Sequence, residues 1–233
     1  MMKFGIIKKG KSIMSEYMTS LLSLEHTMAA ELFSNKVYPH EALSELKEYI
    51  YEAGKRLRQD LFYNPEPGIW IAKSASVADS ACVSGPCIID EEAELRHCAF
   101  IRGSVIIGRG AVVGNSTELK NSILFDGVQV PHYNYIGDSV LGYKAHMGAG
   151  AITSNVKSDK SLVSISYGGE KFCSGLKKLG AILGDQAEIG CGSVLNPGAV
   201  IGRFSNVYPL SSVRGYVPGN SIYKRAGEIT NKY

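Results

Sequence analysis

The chain has 233 residues, of which 45% are apolar and 20% charged, and a formal net charge of +3, which are ordinary values for a soluble protein of one or two domains. The small net charge does not indicate nucleic-acid binding, and no apolar run has the length of a membrane span. The segment from Met1 to Met14 has lysines but no long apolar core, so no signal peptide is expected. Five cysteines without a CxxC pair favour free thiols, with Cys87 buried, in a reducing, cytoplasmic setting.

Residues 1–66 are predicted to be a helical segment that ends in a linker. From Ser15 to a stop at Asn35, apolar residues share one helical face. After Pro39 a second amphipathic helix is predicted, with Gly54 as its end. Because an amphipathic helix must bury its apolar face, we expect both helices to pack on the open end of the following domain or on a neighbouring subunit.

From Ile71 to Leu119 the chain repeats every six residues, a period that neither a helix nor an ordinary strand has. An aliphatic residue takes one position, and a small residue usually precedes it by two. The aliphatic positions are Ile71, Val77, Val83, Ile89, Leu95, Ile101, Ile107, Val113 and Leu119. A six-residue repeat is typical of a β-solenoid, in which three short strands close one coil and the coils stack roughly 4.8 Å apart.

The repeat continues through two one-residue slips and then resumes. The first slip leads to Leu124, Val130 and Ile136, and the second to Leu141, Met147 and Thr153; the last block is Leu183, Ile189, Leu195, Ile201, Val207 and Val213. About seven coils result, so the predicted fold is an all-β parallel β-helix over residues 67–220, preceded by the helical segment. The polar, glycine-containing stretch 155–178 is predicted to be an inserted loop, and loops of this length are usually functional. Residues 221–233 form a tail, expected to be a short helix or disordered.

Two cations are predicted to stack on one face of the solenoid. Arg102 and Lys120 each follow an inward residue of the same face, one coil apart, with no acid between them in that column. Two like charges that close repel each other unless an anion lies between them. Tyr135 lies at the corner that enters this face, and Asn155 lies just after the face. The interpretation is a pocket for a sugar phosphate; the alternative is the ordinary charged exterior of a solenoid.

A histidine is predicted to lie over a glycine-rich backbone. His132 follows Val130 by two residues, as Ala149 follows Met147 on the coil below, so His132 sits over Ala149. A histidine titrates near neutrality and would serve as a general base. His146 lies on the same face, but two histidines without a cysteine are a poor zinc site, and no metal is expected.

The segment from "IRGS" at Ile101 to "ITSN" at Asn155, with the motif "HYNYIGDS…GAGAITSN", resembles the C-terminal acetyltransferase domain of bifunctional N-acetylglucosamine-1-phosphate uridyltransferases. It is also similar to archaeal sugar-1-phosphate nucleotidyltransferases with the same C-terminal solenoid. The resemblance covers about residues 70–220. It implies a left-handed coil, although the crossover rule alone favours the right hand. It also implies a homotrimer with sites between subunits and acetyl-CoA as co-substrate.

The resemblance also implies roles for individual residues. The catalytic pair is His132, as base, and Ala149, as a backbone amide near the thioester. The substrate ligands are Arg102, Lys120, Tyr135, His146, Asn155 and a late lysine, which maps to Lys160 or Lys178 according to the direction of counting; the acetyl-CoA contacts are Ala149, Cys191 and Pro209.

Three features depart from the family pattern. His146 replaces an asparagine of the bacterial enzyme, and the loop after Asn155 is longer. The 66 residues before the solenoid are too few for a Rossmann-like domain, so no nucleotidyltransferase half is expected within these residues. The predicted function is N-acetylation of an amino-sugar phosphate or a nucleotide-linked amino sugar with acetyl-CoA. The alternatives are a non-catalytic trimeric scaffold that binds a sugar nucleotide and a zinc hydratase of the carbonic anhydrase type.

Overall fold

The computed structural model describes residues 16–232. The expectations for the basic N-terminal lead and for a signal peptide therefore lie outside the described residues. Among residues 16–232, no helix is long and apolar enough to cross a membrane.

Within the described residues, the N-terminal segment consists of short helices. They are the α-helices α1 (Glu16–Leu21), α2 (Ala30–Phe33) and α3 (Leu46–Arg56) and the 3₁₀ helices Leu24–His26 and Pro39–Ser44. The single helix predicted from Ser15 to Asn35 is wrong. The chain leaves the helical path at Ser23, whose backbone N–H donates to Asp185, and again at Thr27, which is extended and whose hydroxyl accepts from the N–H of Ala29.

Gly54 lies within α3 and does not end it, which corrects the predicted helix end. A Cβ at this position would lie 2.4 Å from the indole ring of Trp70. The glycine therefore allows close packing of α3 on the solenoid.

The remainder of the described chain is built mainly of short strands. In chain order these are β1 Phe62–Tyr63, β2 Ile69–Ala72, β3 Ser76–Val77, β4 Cys82–Val83, β5 Cys87–Ile89, β6 Glu94–Leu95, β7 Phe100–Ile101, β8 Val105–Ile107, β9 Val112–Asn115, β10 Glu118–Leu124, β11 Gln129–His132, β12 Tyr135–Leu141, β13 His146–Met147, β14 Ile152–Thr153, β15 Ser164–Tyr167, β16 Glu170–Cys173, β17 Ala181–Leu183, β18 Glu188–Ile189, β19 Val194–Leu195, β20 Ala199–Ile201, β21 Asn206–Val207, β22 Ser212–Val213, β23 Tyr216–Val217, β24 Ser221–Arg225 and β25 Glu228–Asn231.

The strands stack in parallel on three faces. Face A contains β2, β5, β8, the second halves of β10 and β12, β17, β20 and β23; face B contains β3, β6, β9, β11, β13, β18, β21 and β24; face C contains β4, β7, the first halves of β10 and β12, β14, β19 and β22. Seven complete coils result, with a partial eighth in β23 and β24. The predicted β-solenoid and its coil number are confirmed.

The repeat positions form the core. The predicted aliphatic residues from Ile89 to Val213 are buried, including those after both slips. Val77 and Val83 are only partly buried because they belong to the first coil, whose end the helices leave open. The predicted helical cap on the solenoid end is therefore wrong.

The helices lie along face A instead. On this face the residue that precedes the inward aliphatic residue of each coil points outward and is apolar, so the coils present a continuous stripe. The paired residues are Trp70, Ile88, Ile106, Ile123, Val140, Ile182, Val200 and Tyr216. Phe33 packs edge-on against Phe125 with ring centroids 5.7 Å apart, and His26 stacks on Tyr143 at 3.7 Å. Burial of this stripe is the physical reason for the position of the helices.

The tail expected to be a helix or disordered forms a β-hairpin through Asn231. β24 pairs with β21 in the parallel stack, and β25 turns back along β24. The last coil offers unpaired backbone groups at its edge, and pairing with the tail satisfies them.

The inserted stretch 155–178 contains the antiparallel pair β15–β16 and packs back on the N-terminal segment. Tyr167 lies 4.6 Å from Tyr216 and Phe172 lies 4.3 Å from Tyr38, measured between ring centroids. The hydroxyl of Tyr17 donates to Glu170 at 3.1 Å. The insertion is thus an ordered hairpin held between the solenoid and the N-terminal segment.

Candidate active site

The centre of the site lies where the six-residue repeat is interrupted by its two one-residue slips. On face C, Cys82 and its partner Phe100 on the next coil are 18 residues apart in the chain. Glu118 and its partner Tyr135 are one residue closer in the chain. The missing residue lies at the corner between faces C and A. There β10 and β12 continue around the corner through Asn121 (φ 47°) and Asp138 (φ 49°). Asparagine and aspartate tolerate this left-handed conformation better than most other residues.

Arg102 and Lys120 are stacked as predicted, because Leu119 pairs with Ile101 and the N–H of Arg102 donates to the carbonyl of Leu119. As predicted, no acid lies between them in their column, where Gly137 follows Lys120, but acids at neighbouring positions reach both cations. Arg102 donates to Glu118 at 2.7 Å, and the Lys120 ammonium lies 3.4 Å from Asp138 Oδ1. Each cation therefore has a carboxylate partner before any ligand binds.

The Asp138 carboxylate accepts from several side chains of this cluster. Its side chain is nearly inaccessible, at 5% of its full exposure. Besides Lys120, Asn121 Nδ2 donates to Oδ1 at 2.8 Å, and Asn155 Nδ2 donates to Oδ2 at 2.6 Å. A buried carboxylate needs such donors to offset its lost hydration.

Tyr135 and Asn155 lie together over Gly137. Asn155 Nδ2 also donates to the Tyr135 hydroxyl at 3.2 Å. A Cβ on Gly137 would lie 2.5 Å from that hydroxyl and 2.9 Å from Asn155 Nδ2, so only a glycine leaves room for the two side chains here. Burial raises the pKa of Tyr135, so its hydroxyl stays protonated at neutral pH.

His132 and Ala149 meet at the corner that follows β11 on face B. The N–H of Gly150 donates to the carbonyl of His132 at 3.0 Å, which places His132 over Ala149 as predicted. The carbonyl of Ala149 accepts from Gly192 at 2.8 Å. Among the described residues, the Ala149 N–H has no acceptor and the His132 imidazole has no hydrogen-bond partner. Both groups are therefore available to a ligand.

A buried amide holds this corner in place. Asn134 is 3% exposed, and its Oδ1 accepts from the N–H of His132 at 3.1 Å. Its Nδ2 donates to the carbonyls of Gly148 and Ala151, both at 2.9 Å. Asn134 thereby ties the backbone of His132 to the turn that contains Ala149.

Below this corner, face B has an open groove of about 430 Å³. Its lining includes His146, Glu188, Cys191, Pro209 and Lys232. His146 Nδ1 lies 2.8 Å from Glu188 Oε2, so the histidine is oriented by a carboxylate. The groove brings together Cys191 and Pro209, two residues that the family resemblance assigned to acetyl-CoA, and places His146 beside them.

The structure separates the two candidates for the late lysine. Lys178 forms an antiparallel bridge with Val156, the residue after Asn155. Lys160 is exposed in a turn of the inserted stretch. Of the two, Lys178 has its backbone beside the cluster around Asn155.

Four polar residues of the site were not predicted from the sequence. They are Glu118, Asn134, Asp138 and Glu188. For Asp138 a signal was present, because it lies at the second slip of the repeat, where the corner is one residue short. Among residues 16–232, no group of three or more histidine, cysteine, aspartate or glutamate residues is placed to hold a metal ion.

Comparison with known proteins places the solenoid in a family. Residues 83–202 match the family model described as the GMPPB C-terminal domain. A bifunctional sugar-1-phosphate nucleotidylyltransferase/acetyltransferase of Sulfurisphaera tokodaii is 30% identical over 167 residues, which are 64% of this chain and 42% of that protein. A bifunctional protein GlmU of Methanococcus maripaludis is 38% identical over 107 residues, 46% of this chain and 26% of that protein. The chain thus spans less than half the length of these relatives.

Among solved structures, an N-acyltransferase from Bacillus cereus, AntD, is similar to 74% of this chain and 89% of its own, with 17% identity and a TM-score of 0.36. The family match rests on sequence and covers more than half of the chain. The chain therefore belongs to the family of GMPPB C-terminal domains.

Proposed function

We propose that the chain is an acetyl-CoA-dependent N-acetyltransferase that acts on an amino-sugar phosphate or a nucleotide-linked amino sugar. One observation carries the proposal. At a single corner the backbone of His132 is stacked over the Ala149–Gly150 turn, and within residues 16–232 neither the His132 imidazole nor the Ala149 N–H has a hydrogen-bond partner; the face that follows this corner carries the two cations Arg102 and Lys120. The proposal is also supported by the Sulfurisphaera tokodaii relative, which is described as a bifunctional sugar-1-phosphate nucleotidylyltransferase/acetyltransferase.

The chemistry follows from the positions of these groups. Acetyl-CoA supplies the acetyl group as a thioester, and the face B groove with Cys191 and Pro209 would hold it. The His132 imidazole accepts a proton from the sugar amine, whose nitrogen forms the amide bond as the C–S bond breaks and the thiolate of CoA leaves. The Ala149 N–H donates to the oxyanion that develops at the carbonyl oxygen.

The direct test measures release of free thiol from acetyl-CoA in the presence of glucosamine-1-phosphate. A panel with nucleotide-linked and unphosphorylated amino sugars identifies the acceptor class. Binding of a sugar nucleotide, with no acceptor causing release of thiol from acetyl-CoA, would instead support the scaffold alternative.

We also propose a cytoplasmic setting. All five cysteines are free, which suits a reducing compartment, and burial raises the pKa of the Cys87 thiol to about 12.

We further propose that the chain forms a homotrimer with its sites between subunits. The outward aromatic residues Phe100 and Tyr133 are 38% and 64% exposed, and they lie near the cation pair and the His132 corner, respectively. Light scattering should give about three times the chain mass of 25.1 kDa. A monomeric mass would contradict the trimer and the shared site.

Lys120→Ala should raise the KM for a phosphorylated acceptor about tenfold or more, because a charge-assisted contact to phosphate is lost. The KM for acetyl-CoA should stay nearly unchanged, and added salt should weaken acceptor binding to the wild type. Steady-state kinetics with both substrates provides the measurement.

Lys171→Ala, which removes an exposed lysine of the inserted hairpin, is the matched control. If Lys120→Ala leaves the ratio of kcat/KM between phosphorylated and unphosphorylated amino sugars as it is in the wild type, the phosphate lies elsewhere.

A further inference from the structure

We infer that Asp138 is a positioning residue that fixes the hydrogen-bond polarity of the acceptor pocket: it makes Asn155 present an acceptor and Tyr135 a donor to the ligand. The inference rests on the proposed function for the identity of that ligand. Its physical basis is the hydrogen-bond network of the buried carboxylate, which is independent of any ligand.

Asp138 fixes the orientation of the Asn155 side-chain amide. The Asp138 carboxylate accepts hydrogen bonds and has none to give, so the group 2.6 Å from its Oδ2 must be the amide Nδ2 of Asn155. The second hydrogen of this Nδ2 goes to the Tyr135 hydroxyl at 3.2 Å. Both Asn155 donors are then used, and Asn155 Oδ1 has no partner among the described residues.

The Asn155 amide in turn fixes the orientation of the Tyr135 hydroxyl. Since its hydroxyl oxygen accepts from Asn155, its own hydrogen is left for another group, and within residues 16–232 no acceptor for it is found. The pocket therefore presents an O–H donor at Tyr135 and a carbonyl acceptor at Asn155, beside Arg102 and Lys120. This pattern fits a sugar phosphate whose phosphate or ring oxygen meets Tyr135 and whose hydroxyl or ammonium N–H meets Asn155.

Asp138→Asn should reverse both orientations. Two donors, Lys120 and Asn121, converge on Oδ1, whereas Asn155 alone faces Oδ2. The carbonyl oxygen of the new side-chain amide therefore takes the side with two donors, and its NH₂ faces Asn155. Asn155 must then turn its oxygen inward, where it also accepts from Tyr135, so that both pocket groups reverse their polarity.

The test is the binding of glucosamine-1-phosphate, measured by calorimetry without acetyl-CoA. Asp138→Asn should weaken binding about tenfold to a hundredfold, as expected when a buried site loses matched hydrogen bonds. The double variant Asn121→Asp/Asp138→Asn moves the carboxylate one coil, to a position that already has positive φ. There the carboxylate accepts from the NH₂ of the new amide at position 138, and the carbonyl oxygen of that amide faces Asn155 again. Affinity should then return to within about threefold of the wild type.

The matched control is Asp185→Asn. Asp185 is fully buried and accepts from Ser23, Tyr143 and Arg203 at the junction of the helices with the solenoid. Its replacement should lower the melting temperature without changing the affinity for glucosamine-1-phosphate.

A second readout needs no ligand. The side-chain amide hydrogens of Asn155 should exchange slowly with solvent in the wild type and in the double variant, and about tenfold faster in Asp138→Asn, as measured by NMR. Wild-type affinity in Asp138→Asn, failure of the double variant to recover, or equal exchange rates in wild type and Asp138→Asn would each overturn the inference. If the wild type does not bind glucosamine-1-phosphate, the proposed acceptor is wrong, and the exchange rates still decide the role of Asp138.

Discussion

His132→Ala should lower the rate of acetyl transfer about 10²–10⁴-fold, the usual effect of removing a general base. The imidazole lies at the corner over Ala149 and has no hydrogen-bond partner among the described residues, so its removal breaks no internal contact. The fold is held at this point by the backbone of His132 through Gly150 and Asn134, which the substitution leaves in place. We therefore expect an unchanged melting temperature together with the loss in kcat.

His97→Ala is the matched control for this variant. His97 occupies the same corner two coils earlier, since Asn115 pairs with His132 and donates to the carbonyl of His97 at 2.9 Å. It is also exposed, and its replacement should leave turnover near the wild-type value. Near-normal turnover in His132→Ala would assign the base to another residue, and His146, oriented by Glu188, would be tested next.

Phe33→Ala should lower the free energy of unfolding by about 3–5 kcal/mol, the usual cost of truncating a fully buried phenylalanine. Phe33 and Phe125 are both inaccessible to solvent and pack edge-on between α2 and the solenoid. The lost side chain leaves a cavity that the rigid coils close only in part. Urea unfolding at a single fixed protein concentration provides the measurement, because any subunit association adds to the apparent stability.

Phe204→Ala is the control for Phe33→Ala. Phe204 is 37% exposed and has no place in the proposed subunit interface, so its truncation should cost about 1 kcal/mol or less. If Phe33→Ala loses no more stability than Phe204→Ala, the helices contribute little to the fold.

Much of the site could be predicted from the repeat because β-solenoid registers are arithmetic. Each inward residue fixes the face of its neighbours, so counting alone placed Lys120 beside Arg102 and His132 over Ala149. Counting did not predict the acidic partners of the two cations. Glu118 lies two residues before Lys120, outside the column that was counted, and Asp138 reaches its partners only because the corner is one residue short.

The sequence by itself determined the β-helix, its coil number and the inward residues, because a six-residue period buries one aliphatic side chain per strand in any such coil. Only the tertiary structure decided where the helices go. The outward stripe from Trp70 to Tyr216 recurs once per coil, and its burial requires the helices on face A and not on the open end. It also decided the path of the inserted stretch, because the aromatic contacts of Tyr167 and Phe172 come from residues far apart in the chain. The hydrogen-bond polarity of the pocket is likewise a tertiary property, since donors from the coils on either side meet on Asp138: Lys120 and Asn121 come from one coil and Asn155 from the other.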